Sequence, residues 1–209
     1  MVNRIQTRNE ELTNGISHIL GVLFCLIAMP FLIAKARGHN LITELSVIIF
    51  GIGMLLVYSF SSLYHLVQKE KTKQLLKIAD HISIYYLIAG TYSPLMVIYL
   101  NKETALVFLG IMWSVVLLGT FFKIFYVDRF KFVSVGLYLL MGWMIVFVIK
   151  PLWGNIPLSI FLWILAGGLS YTVGVYFYVK GHKNYFHTVW HFFVLFGTIF
   201  HYVAILESL

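Results

Sequence analysis

Two histidines, His187 and His191, lie four positions apart in the last apolar stretch of the chain. Helical residues with this spacing share a face one turn apart, so both imidazoles can bind a single metal ion. A third histidine, His65, lies near the end of the second apolar stretch and follows Ser61 by one helical turn. Three neutral histidines with an open fourth position are typical of a catalytic zinc site. Imidazole also suits copper, iron or nickel. The pattern therefore predicts a metal site and leaves the identity of the metal open.

Asp80 and Ser61 are the candidate catalytic residues. Of the two aspartates, Asp128 lies in a basic connection where we expect it in solvent, whereas Asp80 begins the third apolar stretch. An ionisable group inside a membrane is costly and is therefore a candidate for function. Asp80 could act as a general base toward water at the metal, orient a ligand, or be a fourth ligand. Ser61 could bind that water or a substrate carbonyl, or it could bond a carbonyl of its own helix.

The remaining five histidines have other interpretations. His18 begins the first apolar stretch, and we expect its ring to reach the membrane interface, with a place beside the metal ligands as the alternative. His81 faces about 100° away from Asp80, so we expect it to hydrogen-bond another helix. His201 lies about 15 Å beyond His191 along a helix and is excluded as a shared ligand. The two that fall in connections, where we expect surface positions, are His39 and His182.

The composition predicts an integral membrane protein. Of the 209 residues, 60% are apolar and 11% are charged, whereas soluble domains carry about 25% charged residues. A soluble domain of this size could not bury so much apolar surface, and a disordered chain would be less apolar. The single cysteine, Cys25, excludes a disulfide framework within the chain and a CxxC site.

The stretches between charged residues are long enough to cross a bilayer as helices, which takes about 20 residues each. We therefore predict an all-α bundle of seven transmembrane helices, forming one domain over residues 1–209. The predicted spans are approximately 15–34, 44–67, 79–100, 104–123, 132–149, 158–179 and 185–206.

Lysine and arginine are unevenly distributed between alternate ends of these spans. One set of ends carries Arg4, Arg8, Lys69, Lys71, Lys73, Lys77, Lys123, Arg129, Lys131, Lys180 and Lys183, and the other carries Lys35, Arg37, Lys102 and Lys150. The positive-inside rule then predicts a cytoplasmic N-terminus and an external C-terminus. The net charge of +7 is thereby explained as a topology signal, and we expect no nucleic-acid binding. This orientation brings the three histidines and Asp80 to the same cytoplasmic leaflet.

Four passages, spread in order over nearly the whole chain, carry a resemblance to a known family. They are Glu11-Leu-Thr-Asn14-Gly-Ile-Ser-His18, Ser61-Ser-Leu-Tyr-His65, Asp80-His-Ile-Ser-Ile-Tyr-Tyr-Leu-Ile-Ala-Gly-Thr-Tyr-Ser-Pro94, and His187-Thr-Val-Trp-His191 running on to Phe200-His201-Tyr202. Together they resemble the bacterial hemolysin III-type proteins of the progestin and adipoQ receptor superfamily, which includes the adiponectin receptors.

The resemblance implies a seven-helix fold with a zinc ion near the cytoplasmic side of the bacterial plasma membrane. It implies that His65, His187 and His191 bind the zinc, that Asp80 holds a zinc-bound water, and that Ser61 lies beside it. The superfamily is also similar in motif to the alkaline ceramidases, which are membrane amidases.

Three functions are compatible with these observations. The first is a zinc-dependent intramembrane hydrolase acting on a lipid amide or ester, with membrane lipids as substrates. The second is a non-enzymatic sensor or membrane-homeostasis protein in which zinc is structural. The third is a cytolytic pore, although the outer halves of the spans offer few ionisable residues for a polar path. A haem-binding cytochrome fits poorly, because axial ligands would have to face each other from separate helices.

Overall fold

The computed structural model describes residues 6–127 and 129–209, so Arg4 and Asp128 lie outside the described residues. Within those ranges all regular structure is helical. The elements in chain order are α1 (Arg8–Ala36), α2 (Leu41–Leu66), α3 (Glu70–Tyr99), α4 (Lys102–Tyr126), α5 (Lys131–Gly142), a 3-10 segment (Met144–Val148), α6 (Ile149–Trp153), α7 (Leu158–Val179) and α8 (Phe186–Ser208).

Seven of the described segments are long and apolar enough to cross a membrane, with α5, the 3-10 segment and α6 together forming the fifth. Their outward faces carry large apolar side chains, such as Ile27, Leu118 and Phe147, that are 66%, 71% and 80% exposed. Exposing this much apolar side-chain surface to water is unfavourable, whereas exposing it to the hydrocarbon of a bilayer is not. The prediction of an all-α, multi-pass membrane protein is confirmed. The orientation of the termini and the single domain over 1–209 stay predictions.

Local sequence explains where several helices begin. Asn40 and Asn101 precede α2 and α4, and each accepts a hydrogen bond from the backbone N–H three residues on, as N-cap residues do. Thr7 and Glu10 form a capping box at the start of α1, which satisfies two backbone N–H groups reciprocally.

The helices extend further toward one end of the bundle than the sequence predicted. α1 begins at Arg8 rather than near residue 15, and α3 begins at Glu70 rather than near residue 79. Charged first turns are compatible with a helix that projects beyond the hydrocarbon, so a change to polar residues does not mark a helix end. Asp80 therefore lies inside α3 rather than in its first turn.

Helix α2 packs along both α1 and α3, whereas α8 packs along α7 and more briefly on α1 and α3. The contact between α2 and α3 is close because glycines face the partner backbone. A Cβ at Gly53 would lie 2.9 Å from the carbonyl oxygen of Tyr86, and one at Gly90 would lie 3.1 Å from that of Ile49. This packing fixes the middle of α2 against the middle of α3.

The fifth span is not the continuous helix predicted over 132–149. α5 ends at Gly142, and a 3-10 turn and the short α6 carry the chain on to Trp153. The hydroxyl of Tyr92, on α3, donates to the Gly142 carbonyl at 2.6 Å and accepts from the N–H of Ile145 at 3.2 Å. A side chain of α3 thus hydrogen-bonds backbone groups that are left without helical partners where the fifth span breaks. Within a membrane such groups must have hydrogen-bond partners in the protein.

Candidate metal centre

The structure brings three histidine rings from two helices together. His65 comes from the last turn of α2, and His187 and His191 come from the first two turns of α8. The ring centroids are 5.2 Å apart for both pairs that include His65, and 4.6 Å apart for His187 and His191. One ligand nitrogen from each ring lies within 4.8 Å of the other two. These are the three histidines that the sequence predicted to share an ion.

A carboxylate fixes the orientation of His65. Its Nδ1 lies 2.8 Å from Oε2 of Glu11 on α1, and Lys73 approaches the other oxygen of Glu11 at 3.2 Å. Because an ionised carboxylate can only accept, Nδ1 of His65 carries the proton. The lone pair on Nε2 is left available, and this buried atom has no hydrogen-bond partner among the described residues.

His191 is fixed by the backbone of α1. Its Nδ1 lies 3.2 Å from the carbonyl oxygen of Asn14 and 2.9 Å from the hydroxyl of Ser17. The carbonyl can only accept, and the Ser17 hydroxyl itself donates to that carbonyl at 2.7 Å. Nδ1 of His191 is therefore the donor in both contacts, which leaves Nε2 unprotonated.

Further hydrogen bonds hold the beginning of α8 against α1. The backbone N–H of Tyr185 donates to Oε1 of Glu10 at 3.1 Å, and the hydroxyl of Thr188 donates to Oδ1 of Asn14 at 2.6 Å. Tyr185 has a left-handed backbone conformation, with φ 59°, so the turn into α8 is sharply defined. This network sets the position of His187 and His191 relative to α2.

The arrangement fits a metal ion. A tetrahedral zinc ion with Zn–N bonds of 2.0–2.1 Å places its ligand nitrogens about 3.4 Å apart, so the 4.8 Å limit requires only a small inward shift. His65 and His191 each donate Nδ1–H to an oxygen, as metal-bound histidines commonly do. The donor set is three neutral nitrogens, and the buried Nε2 of His65 would otherwise stay unpaired.

Asp80 and Ser61 lie next to the three histidines. The side chain of Ser61 lies close enough to Asp80 to interact with it, and Asp80 also interacts electrostatically with His65 and Lys123. Bonding to the carbonyl of its own helix, the alternative considered for Ser61, occurs at the next serine, where Ser62 donates to Tyr58 at 2.7 Å. A hydroxyl and a carboxyl therefore face the space beside the candidate ligands.

One histidine differs from its predicted environment. His18 does not reach the interface: it is 3% exposed, and its ring stacks on His191 with the centroids 3.7 Å apart. Neither of its ring nitrogens has a hydrogen-bond partner in the described parts of the chain. Nδ1 of His81 donates to the carbonyl oxygen of Lys77, within α3, at 2.7 Å. The backbone carbonyl of His81 accepts a hydrogen bond from the Tyr138 hydroxyl of α5 at 2.9 Å.

The other predictions for histidines agree with the structure. His201 stacks on Tyr171 of α7 and is not one of the three grouped histidines. The two histidines that lie in connections between helices are exposed, as predicted: His39 and His182.

The candidate centre opens on a cavity of about 850 Å³ that runs between the helices. The three histidines, Ser61 and Asp80 line one end of it, and His201 lines a part further along α8. Most of the wall between them is apolar and comes from α3, α5, α7 and α8. The cavity thus has a polar, ligand-bearing end and a long apolar remainder.

The sequence reasoning did not assign a role to the residues of α1 that hold the histidines. Glu11, Asn14 and Ser17 lie three residues apart, so they share one helix face. All three lie in the first passage that carries the family resemblance, and their regular spacing within that passage was the available signal.

Comparison with known proteins agrees with this architecture. A family model described as "Haemolysin-III related" matches residues 6–202. The chain belongs to the haemolysin-III-related family. It is 41% identical over 193 residues to the "Hemolysin-3 homolog" of Bacillus subtilis (strain 168), covering 92% of this chain and 91% of the relative. It is 37% identical over 207 residues to "Hemolysin-3" of Bacillus cereus, covering 99% and 94%.

The haemolysin-III-related family also has animal relatives. The human "Monocyte to macrophage differentiation factor" is 25% identical over 193 residues, which is 88% of this chain and 80% of that protein. The seven apolar helices and the bacterial relatives assign the chain to the multi-pass proteins of the bacterial cell membrane.

Proposed function

We propose that this haemolysin-III-related protein is a zinc-dependent intramembrane hydrolase that cleaves a lipid amide or ester near the cytoplasmic leaflet. The observation that carries the proposal is the position of the three histidines, with Asp80 and Ser61, at one end of a largely apolar cavity. Zinc is favoured among the possible metals because three histidines without a further protein ligand are typical of its catalytic sites. A bound zinc ion would supply Lewis-acid activation of water and of the substrate carbonyl.

The side chains have separate roles in this proposal. The carboxylate of Asp80 accepts the proton of the attacking water and later returns it to the leaving group, as a general base and then a general acid. The Ser61 hydroxyl, which lies beside Asp80, orients that carboxylate and the substrate carbonyl. Glu11, Ser17 and the Asn14 carbonyl hold His65 and His191 in the tautomer that presents Nε2.

The cavity favours a lipid over a water-soluble substrate. Apolar side chains line its length, including Leu87, Leu95, Ile164 and Val194. An acyl chain bound there would make apolar contacts along the cavity. The predicted orientation places the polar end near the inner interface, where the ester and amide groups of lipids lie. The apolar walls also exclude bulk water from the reacting atoms.

The test is release of fatty acid by the purified, zinc-loaded full chain from detergent-solubilised lipids, offered as one ceramide and one diacyl phospholipid. We expect turnover of at least one class, and a loss of about 10²–10⁴-fold in Asp80→Asn with the zinc content unchanged. Ser61→Ala should lower turnover, while the matched control Ser62→Ala should not, because the Ser62 hydroxyl donates to the Tyr58 carbonyl of its own helix. Stoichiometric zinc without turnover of either class would contradict the proposal.

A structural role for the metal is the second candidate. The triad joins α2 to α8, two helices that both pack on α1 and α3, so an ion there would act as a clasp. In that case a chelator would lower the unfolding temperature sharply. Asp80→Asn would then leave metal content and cellular phenotype alike unchanged.

A further inference from the structure

The histidine end of the cavity carries an excess of cationic side chains. Lys77, Lys123 and Lys131 line it, and the lining carboxylates among the described residues are Glu11 and Asp80. Glu11 already contacts Lys73 and His65 at 3.2 and 2.8 Å. A divalent cation on three neutral histidines would add two further positive charges. The charge balance at this end therefore favours an anionic ligand.

The position of Lys123 differs from that of a lysine that only sets membrane topology. Lysines that fix topology keep their ammonium groups in water or at the interface, but Lys123 is 2% exposed near the end of α4. It lines the cavity and interacts electrostatically with Asp80. Burial of an ammonium group within a membrane protein is costly and is typical of a functional position.

Lys131 approaches the same region from another helix. It is the first residue of α5, where a positive charge opposes the helix dipole, so helix stability does not explain its presence. Its Nζ lies 4.5 Å from the centre of the Tyr178 ring on α7. It also interacts electrostatically with His187. Two lysines from α4 and α5 thus converge beside the candidate ligands.

We propose that this cavity binds an acyl lipid with an anionic headgroup, and that Lys123 and Lys131 hold the headgroup while the apolar walls hold the chain. The substrate class of the hydrolase is then an anionic rather than a neutral lipid, a part of the inference that rests on the proposed function. The binding itself does not depend on hydrolysis.

Native mass spectrometry of the purified full chain in a neutral detergent tests the binding. The probes are phosphatidylglycerol, diacylglycerol with the same acyl chains, and inorganic phosphate, each added alone. We expect phosphatidylglycerol to bind about tenfold more tightly than diacylglycerol and inorganic phosphate to be retained by neither wild type nor variants. Equal binding of the two lipids would overturn the proposal, and retention of inorganic phosphate would replace the lipid with a soluble anion.

Lysine variants assign the headgroup site. Lys123→Gln and Lys131→Gln should each weaken phosphatidylglycerol binding about tenfold and leave diacylglycerol binding unchanged. Lys131 is exposed, so Lys131→Gln tests the proposal even if Lys123→Gln fails to fold. Lys131→Arg, which keeps the positive charge, should bind phosphatidylglycerol as wild type does. The matched control is Lys71→Gln, an exposed lysine in the first turn of α3 that does not line the cavity. An equal loss in Lys71→Gln would show general surface attraction and overturn the site.

The two proposals fail separately. If phosphatidylglycerol binds preferentially through Lys131 but no lipid is hydrolysed, the hydrolase is wrong and the headgroup site stands. If lipids are hydrolysed but neutral and anionic lipids bind equally, the headgroup site is wrong and the hydrolase stands.

Discussion

At the scale of single residues, hydrogen-bond partners decide which nitrogen His65 and His191 present. Glu11 accepts a hydrogen bond from Nδ1 of His65, and the Asn14 carbonyl and the Ser17 hydroxyl accept from Nδ1 of His191. Each partner belongs to α1, which contributes no ligand of its own. The first helix therefore orients two of the candidate ligands, which are themselves carried by α2 and α8.

The contact between Glu11 and His65 gives a direct prediction. Glu11→Ala should lower zinc affinity about 10–100-fold, because partners that orient metal ligands commonly contribute this much. The measurement is competition with a chromogenic chelator on the purified full chain. Glu70→Ala is the control, since Glu70 is an exposed acid at the start of α3. Equal affinities in Glu11→Ala and wild type would contradict the role of Glu11.

The sequence predicted which histidines could share an ion but not everything around them. The spacing of His187 and His191 is a property of any α-helix, so their common face needed no tertiary information. The burial of His18 against His191 depends on how α1 docks on α8, and that docking is set by contacts between residues more than 170 positions apart, such as Asn14 and Thr188. A sequence pattern along one helix does not contain this information.

At the scale of helices, two features depend on packing: the close contact of α2 with α3, and the interrupted fifth span. Hydropathy predicted that each span exists because bilayer thickness fixes the apolar length. It did not predict the break after Gly142, because the compensating hydroxyl of Tyr92 comes from α3. Hydropathy therefore predicts the spans but not how the helices pack against one another.

The α2–α3 contact predicts a stability effect. In Gly53→Ala the added Cβ would meet the backbone of Tyr86 and Leu87 at 2.9–3.0 Å, and overpacking of this kind costs about 1–3 kcal/mol. The unfolding temperature of the detergent-solubilised protein should fall. The control is Gly110→Ala, where no atom lies within 4 Å of the added Cβ and the better helix propensity of alanine should leave stability unchanged or higher. Equal unfolding temperatures for the two variants would contradict the close packing.

At the scale of the whole molecule, the ends of α2, α3 and α8 that carry the centre must face one leaflet, and lysine distribution predicts that this is the cytoplasmic one. Alkaline phosphatase fused after Leu209 should be active in bacterial cells, because the C-terminus is predicted to lie outside. A fluorescent protein fused at the same position should be dark after export. The reverse pattern would move the centre to the outer leaflet.

The zinc content of the purified full chain tests the central claim, that His65, His187 and His191 bind one cation. Wild type should retain about one zinc ion per chain, and His191→Ala should retain at least about tenfold less while eluting as the same folded species. His39→Ala, which alters an exposed histidine, should retain as much as wild type. Full zinc content in His191→Ala, or none in wild type after zinc loading, would contradict the account.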